Sequence, residues 1–239
     1  MTPLPGLPDL GVLVPAAGSG ERMGGVRKAF LDLAGVPLLQ WAVAAFLEHP
    51  ATHSVVVALP EDEAERPPAW LAQLDPRIAV VSGGATRTES VAAALQALGD
   101  EVAIVAVHDG ARPFVDLAVL DVLLNCARSG VGAIPGYPAV DTLKVVDADG
   151  HVEATPDRSR HWQVQTPQVF PRELLELAYG RAVAARVRAT DDAHLVEQVG
   201  GTVRVLPGNP DNLKVTWPGD LVIAQAILGA RARPAQDPR

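Results

Sequence analysis

Short apolar runs alternate along the chain with longer segments of helical periodicity. The runs are nearly continuous and rich in β-branched residues, which is typical of strands covered on both faces. They occupy residues 11–17, 53–60, 77–84, 102–110, 130–136 and 202–208. Since the segments between most of them are long enough for crossover helices, the pattern predicts repeated βα units. We therefore expect an α/β fold with a mostly parallel sheet.

The helices that cover this sheet are predicted from apolar residues at helical spacing. In the first of them, apolar residues recur at i, i+3, i+4, i+7 and i+8 from Leu38 to Phe46. In the second, Thr88 or Ser90 is placed to cap the helix and Gly99 to end it. The predicted helices begin near residues 38, 91, 172, 192 and 218, and the last continues to about residue 230.

The alternation of strands and helices stops between Tyr137 and Val169. Two segments of alternating polarity there flank "DADG" at 147–150, a hairpin turn signal. They predict a β-arm, at about 138–163, that protrudes from the sheet. Because an isolated two-stranded hairpin is marginal in water, we expect the arm to lean on a partner chain.

Length, charge and cysteine content limit the class of protein. With 239 residues, the chain suits a single domain, 1–239, with frayed ends at 1–8 and 231–239. A formal net charge of −8 argues against nucleic-acid binding, since a phosphate backbone requires a basic face. The sequence has no apolar run of membrane-spanning length and no signal-peptide pattern, which predicts a cytoplasmic protein without membrane contact. The lone Cys126 excludes an intramolecular disulfide.

A glycine-rich loop follows the first predicted strand in "VPAAGSGERMGGVRK". It is neither a Walker A loop nor a Rossmann fingerprint, because it lacks the lysine of the first and the third glycine of the second. Its small residues allow a nucleotide to approach the main chain, and Arg22 and Lys28 lie within reach of phosphates. A tight turn uses the same small residues for packing alone, but the added cations favour phosphate binding.

Polar residues also follow two later predicted strands and precede the last helix. Gly84 belongs to "SGGATRTES", Asp109 to "VHDGARP", and Lys214 to "DNLKVT". Asp109 is either a turn-forming residue before a glycine or a ligand of Mg²⁺, which proteins hold with one or two carboxylates and substrate phosphates. Lys214 is one of only three lysines among twenty Lys and Arg residues, so it is a candidate second phosphate clamp.

Taken in order, these motifs resemble one known family. "PAAGSGERM…K", "HDGARP", "DTLK", "DR…TPQ", "ATDDA" and "DNLKVT" run from residue 15 to 220. This ordered set is similar to that of the 2-C-methyl-D-erythritol 4-phosphate cytidylyltransferases of the non-mevalonate isoprenoid pathway. The resemblance implies a single Rossmann-like nucleotidyltransferase domain and a homodimer with interlocked arms. It also implies that CTP and methylerythritol phosphate react, with Mg²⁺, to give a cytidine diphosphate product and pyrophosphate.

The resemblance also assigns roles to residues of this chain. Arg22 and Lys28 would stabilise the transition state on the CTP phosphates, and Arg158 and Lys214 would position the sugar phosphate. The residues matched to CTP binding are Pro15, Ala16, Ala17, Gly18, Gly20, Gly84, Arg87 and Ser90. Asp109 matches the metal-proximal aspartate, and the residues matched to the substrate side are Arg112, Thr142, Thr166, Thr190 and Asp191.

Two other interpretations remain open at the level of the sequence. A cytidylyltransferase for another polyol phosphate, such as ribitol 5-phosphate, would use a similar framework. A catalytically inactive nucleotide-binding regulator would be expected to lose Lys28 or Arg22, and both are present. The chain departs from the family pattern where Arg27 replaces a frequent proline, Ala85 replaces a common aspartate, and "TDDA" replaces "TDEA".

Overall fold

The computed structural model describes residues 8–18 and 27–231. The predicted frayed ends therefore lie largely outside the described residues. The strands, in chain order, are β1 Leu10–Pro15, β2 Asp32–Leu33, β3 Val36–Pro37, β4 Thr52–Leu59, β5 Ile78–Ser82, β6 Ile104–Val107, β7 Gly132–Pro138, β8 Val145–Val146, β9 Val152–Ala154, β10 Trp162–Val164, β11 Gln168–Pro171 and β12 Val203–Pro207.

Helices connect most of these strands. They are α1 Leu38–Leu47, α2 Glu61–Glu65, α3 Ala69–Leu74, α4 Arg87–Gln96, α5 Leu117–Arg128, α6 Arg172–Ala184, α7 Asp192–Gln198 and α8 Pro218–Arg231. Within the described residues, short 3₁₀ turns span Lys28–Phe30 and Arg158–Arg160. Among the described residues, no helix combines the length and the hydropathy needed to cross a bilayer.

Eight strands form one sheet in the order β10-β7-β11-β6-β1-β4-β5, with β12 also paired to β7. The pairs β1–β4, β1–β6, β4–β5 and β7–β12 are parallel. Strand β11 runs antiparallel to both β6 and β7, and β10 runs antiparallel to β7. The predicted α/β fold with a mostly parallel sheet is therefore confirmed. The antiparallel strands were not predicted, because their short segments follow the arm without a turn signal of their own.

Helices bury both faces of the sheet, which explains the continuous apolar runs. Side chains alternate between the two faces along β1. Val12 and Val14 pack in one cluster with Phe46 of α1. Leu13 packs in a second cluster with Val91 of α4. Both faces of the central strand are therefore core, and no position on it could be polar without cost.

The N-cap of helix α4 lies two residues before the closest predicted cap. Thr86 is its N-cap: its hydroxyl accepts from the backbone N–H of Glu89, whose carboxylate accepts from the N–H of Thr86. This is a capping box, and its T-x-x-E pattern is visible in the sequence. The prediction of Thr88 or Ser90 as the cap was wrong, because both lie inside the first turn and are buried. The helix also ends before Gly99.

The chain leaves the sheet after β7 and returns to it at β10. Between them, β8 and β9 pair as a small antiparallel sheet of their own. Side chains of this pair are largely exposed, at 46% for Val145, 51% for Val146 and 58% for Val152. Apolar side chains that find no cover within their own chain suit contact with another surface.

Candidate active site

A cleft of about 370 Å³ opens where the parallel strands end. Its walls come from the loops that follow β1, β5 and β6, and from the segment before α8. Carboxyl ends of parallel strands are where α/β proteins bind ligands, because the loops there expose backbone N–H groups. The predicted site residues that line the cleft are Pro15, Ala16, Ala17, Gly18, Lys28, Gly84, Arg87, Ser90, Asp109 and Lys214.

Small residues allow two of these loops to meet. A Cβ added at Gly83 would lie 2.6 Å from the Cβ of Ala17 and 2.9 Å from the hydroxyl of Ser90. The Ser90 hydroxyl accepts from the N–H of Gly84 at 3.1 Å and donates to the carbonyl of Thr86 at 2.9 Å. The two loops therefore form one closely packed wall. The predicted residues Gly20 and Arg22 lie outside the described residues.

Lys28 enters the cleft from the 3₁₀ turn that follows the glycine-rich loop. The residue before it, Arg27, forms ion pairs with Asp62 and Glu63 of α2. Arg27 stands where the family pattern often has proline, and here it attaches the end of the loop to the neighbouring helix. This attachment limits the freedom of the backbone at Lys28, the next residue.

Asp109 lies at the centre of a cluster of cationic side chains. Its Oδ2 is 2.8 Å from Nζ of Lys214 and 3.6 Å from Nε of Arg112, and its Oδ1 is 3.9 Å from Nε of Arg87. Burial alone would raise the pKa of Asp109, but the charges of Lys214 and Arg87, then of Arg112, outweigh it and hold the pKa well below its usual range. The cluster combines one carboxylate with three cations, so it presents net positive charge to an anion.

A buried histidine supports Asp109 from behind. Nε2 of His108 lies 3.0 Å from the carbonyl oxygen of Arg112, which can only accept, so Nε2 carries the proton. Nδ1 then accepts from the hydroxyl of Thr166 at 3.2 Å, and that oxygen accepts from the N–H of Asp109 at 3.0 Å. Burial lowers the pKa of His108 from 6.5 to about 4, so the ring is neutral near pH 7. Thr166 thus fixes the backbone of Asp109 rather than lining the cleft.

Hydrogen bonds hold the segment that carries Lys214 against the same residues. The carbonyl of Asn212 accepts from Nη1 of Arg112 at 2.7 Å and from Nε2 of Gln165 at 3.2 Å. Nδ2 of Asn212 donates to the carbonyl of Thr166 at 2.7 Å. Arg112 therefore contacts both Asp109 and the segment before Lys214, and it aligns the two.

Thr190 and Asp191 lie at the start of α7, beside the cleft rather than among its lining residues. Asp191 caps the helix by accepting from the N–H of His194 at 3.0 Å, and its Oδ2 accepts from Nε2 of Gln168 at 3.1 Å. Thr190 is exposed. The next residue, Asp192, is fully buried and paired with Arg87, which lines the cleft.

The arm residues Thr142 and Arg158 do not reach the cleft of their own chain. Both are exposed, and the guanidinium of Arg158 donates to the carbonyl of Val140 within the arm. Among the described residues that line the cleft, none belongs to the arm. The structure of one chain therefore separates these two predicted residues from the rest.

Several buried polar residues around the cleft were not identified from the sequence. These are His108, Gln165, Gln168, Asp192 and Asn212. Gln165 precedes a quoted motif and the other four lie inside quoted motifs, but none was assigned a role, because only burial against Asp109, Arg87 or the Lys214 segment gives each a function. The T-x-x-E pattern that locates Thr86 at the wall of the cleft was the one available signal.

Together, the fold and the cationic cleft define an α/β protein with a site for a phosphate-bearing ligand at the carboxyl ends of its parallel strands. Comparison with known proteins makes this specific. A model of the 2-C-methyl-D-erythritol 4-phosphate cytidylyltransferase family matches residues 10–230. The protein of that name from Symbiobacterium thermophilum is 46% identical over 223 residues, which cover 93% of this chain and 94% of that protein. The one from Syntrophotalea carbinolica is 42% identical over 224 residues, covering 91% and 95%.

Solved structures agree with the sequence comparison. The 2-C-methyl-D-erythritol 4-phosphate cytidylyltransferase of Thermus thermophilus has a TM-score of 0.76 at 37% identity, covering 90% of this chain and 97% of that one. The 4-diphosphocytidyl-2C-methyl-D-erythritol synthase of Anaerococcus prevotii has a TM-score of 0.81 at 28% identity, covering 92% and 96%. The chain belongs to the 2-C-methyl-D-erythritol 4-phosphate cytidylyltransferase family, as its motifs predicted.

The buried neutral state of His108 generates a prediction about stability. Between pH 6.5 and 4 the unfolded chain binds a proton on this side chain that the folded chain does not, so the free energy of unfolding falls as the pH is lowered. The loss contributed by this residue approaches about 3 kcal/mol below pH 4. We expect the free energy of unfolding of His108→Gln, measured by urea denaturation at pH 7, 6, 5 and 4, to fall less steeply with decreasing pH than that of the wild type. Equal slopes for the variant and the wild type would contradict the assignment.

Proposed function

We propose that this protein transfers CMP from CTP to 2-C-methyl-D-erythritol 4-phosphate, forming 4-diphosphocytidyl-2-C-methyl-D-erythritol and releasing pyrophosphate. The observation that carries the proposal is the cluster around Asp109, where Lys214, Arg112 and Arg87 converge at a cleft walled by small residues. A reaction between two phosphate-bearing substrates requires a local concentration of positive charge in a protein that is acidic overall. We also propose a cytoplasmic location, since the reaction draws on the cellular CTP pool.

The wall formed by the loops after β1 and β5 suits the nucleotide. We assign Pro15–Gly18, together with Gly84 and Ser90, to CTP, with the cytosine against the main chain of these loops. Backbone N–H and carbonyl groups can recognise the edge of a base, and the absence of bulky side chains allows the close approach. The assignment of Arg87 to this side is supported by its position in the cleft wall. Gly20 is assigned to the same side by resemblance.

The reaction needs no protein base. The second pKa of a phosphate monoester is about 6, so the acceptor phosphate is mostly dianionic at neutral pH and is itself the nucleophile. One of its oxygens forms a bond to the α-phosphorus of CTP, as the bond from that phosphorus to the oxygen bridging the α- and β-phosphates breaks and pyrophosphate leaves. Charge grows on the bridging and equatorial oxygens, and we assign its stabilisation to Lys28 and Arg22.

The acceptor phosphate is assigned to the Asp109 side of the cleft. Lys214 would orient it, because its side chain lines the cleft and is 43% exposed, while Asp109 fixes the position of its ammonium group. Arg112 and Thr166 would act indirectly, by holding Asp109 in position through their contacts with its carboxylate and its backbone N–H. Thr190 and Asp191 are assigned to the polyol-phosphate side by resemblance, as is Thr142 of the arm.

A divalent cation, for which Mg²⁺ is the proposal, fits this donor set. Among the described residues that line the cleft, Asp109 is the one carboxylate, and its Oδ1 lies 3.9 Å from Nε of Arg87, which is beyond hydrogen-bond distance. Mg²⁺ commonly takes one carboxylate oxygen and fills its coordination with waters and substrate phosphates. When bound, the cation would neutralise charge on the triphosphate. Asp109 would hold it near the cleft without giving up its contact with Lys214.

We further propose a homodimer in which the arm of each chain reaches the partner. The β8–β9 pair exposes apolar side chains. At its base, the side chain of Val140 is 70% exposed and that of Trp162 is 40% exposed. An arm that cannot bury itself is stabilised by a second surface. A second copy would also bring Arg158 and Thr142 to a cleft that they do not reach within their own chain.

Product analysis tests the proposed function directly. The protein is incubated with CTP, Mg²⁺ and 2-C-methyl-D-erythritol 4-phosphate, and pyrophosphate and the cytidine diphosphate product are measured. We expect product with this acceptor, and at most weak turnover with ribitol 5-phosphate or with UTP in place of CTP. Preferred turnover of ribitol 5-phosphate would identify another cytidylyltransferase. CTP binding without turnover of either acceptor would support an inactive regulator.

Lys214→Met tests the assignment of the acceptor side. Removal of one preorganised charge from such a site costs roughly 10²–10³ in rate, so we expect kcat/KM for the acceptor to fall by that factor. Arg181→Met is the control, because it removes an exposed cation from α6, outside the cleft. Steady-state kinetics with the acceptor as the varied substrate measures both. An unchanged kcat/KM for Lys214→Met would remove the residue from the site.

Mixed dimers test whether Arg158 serves the partner chain. Lys28→Ala and Arg158→Ala chains are dissociated and reassembled together in equal amounts. If Arg158 acts across the interface, each mixed dimer has one site with both defects and one with neither. Random pairing makes about half of the dimers mixed, so about a quarter of all sites should recover wild-type activity. Activity no higher than the mean of the two parent variants, with mixed dimers verified by mass spectrometry, would show that Arg158 acts within its own chain.

A further inference from the structure

A buried carboxylate that the reaction does not use lies directly behind the nucleotide wall. Asp192, the first residue of α7, has no solvent exposure. Its carboxylate accepts from Nη1 and Nη2 of Arg87 at 2.6 and 2.7 Å, and Oδ1 also accepts from the hydroxyl of Tyr179. Removing such a charge from water is costly unless it is paired and hydrogen-bonded, so Arg87 is the partner that makes the burial of Asp192 possible.

This pairing fixes the orientation of Arg87. A guanidinium is planar, so holding Nη1 and Nη2 on one carboxylate also sets the direction of Nε. That atom lies 3.9 Å from Oδ1 of Asp109, and Arg87 lines the cleft. Burial opposes the charge of Arg87, but the attraction of Asp192 outweighs it and raises the pKa of the guanidinium. Arg87 therefore remains charged and bridges a buried carboxylate and the carboxylate of the cleft.

The same region joins the start of α4 to the start of α7. The N–H of Asp192 donates to Oε1 of Gln168 at 3.0 Å, and Nε2 of Gln168 donates to Asp191 at 3.1 Å. The N–H of Ala189 donates to the hydroxyl of Thr88 at 3.1 Å. The segment 189–191 is thus attached to the sheet through Gln168 and to α4 through Thr88 and the Arg87 pair.

We propose that Asp192 is a positioning residue that orients Arg87 against Asp109 and couples the segment 189–191 to the nucleotide cleft. Asp192 acts through Arg87, because its own side chain has no access to the cleft. The inference rests on the proposed function, since Thr190 and Asp191 serve the acceptor only if the protein uses a polyol phosphate. A residue with this role affects both substrates although it touches neither.

Asp192→Asn is the central variant, because it retains shape and removes the charge that holds the guanidinium. Asp9→Asn is its matched control. Asp9 accepts from Nε and Nη2 of Arg128 at 3.0 and 2.6 Å, and it precedes β1, at the amino end of that strand, whereas the cleft lies at the carboxyl end. Both variants lose a bidentate ion pair of a buried aspartate. We expect both to lower the melting temperature.

Only Asp192→Asn is expected to change the kinetics. Because small displacements of positioning groups are costly to rate, we expect kcat to fall about tenfold, with KM for the acceptor rising several-fold. The dissociation constant for CTP, measured by calorimetry without the acceptor, should also rise. A lower melting temperature with wild-type kcat, KM and CTP affinity, as expected for Asp9→Asn, would overturn the proposal and leave Asp192 a purely structural residue.

Two further variants keep the test decisive if Asp192→Asn does not fold. Arg87→Lys keeps a positive charge opposite Asp192 but cannot form the two-pronged contact, so it should reproduce the lower kcat. Tyr179→Phe removes the neutral hydroxyl and leaves the pair intact, so it should lower stability and leave kcat unchanged. Wild-type kcat for Arg87→Lys would overturn the proposal. Absence of product from the wild-type protein would instead refute the proposed function.

Discussion

The charge of Asp109 is the constraint on which the cleft depends. A carboxylate with 14% side-chain exposure must be compensated, and Lys214, Arg112 and Arg87 provide the compensation from three separate parts of the chain. Arg87 is in turn held by Asp192, and Arg112 by the carbonyl of Asn212. The cations around Asp109 are therefore held in place in the absence of a bound anion, which is the preorganisation that electrostatic stabilisation requires.

The sheet topology makes this arrangement possible. Strand β11 inserts antiparallel between β6 and β7. Its first residue, Gln168, and Thr166 in the turn before it therefore lie at the carboxyl ends of the parallel strands. Thr166 fixes the backbone of Asp109, while Gln168 fixes the start of α7. If β11 ran parallel to β6, it would begin at the amino ends of the parallel strands, and the turn before it would lie at the opposite end of the sheet from the cleft. The exception to parallel order is thus part of how the cleft is built.

Much of this site was predicted from the sequence, because its motifs carry their chemistry in residue type. Ala16, Ala17 and Asp109 were identified after predicted strands, Lys28 at the end of the glycine-rich loop, and Lys214 in the segment before the last helix. All of them line one cleft. In contrast, the wrong cap was predicted for α4 although the local T-x-x-E pattern at Thr86 was present in the sequence. Strand β11 was not identified, because its short segment follows the arm without a turn signal of its own.

The sequence by itself determined the fold class, since continuous apolar runs are stable only as strands covered on both faces, and it determined the family through the order of its motifs. Tertiary structure decided which polar residues are buried and with what partners. His108, Gln168 and Asp192 lie inside motifs, but the sequence did not assign them a role, because their roles arise from burial against groups that the fold brings together. Burial strengthens electrostatic interactions, and burial is a property of the packed chain rather than of any local segment.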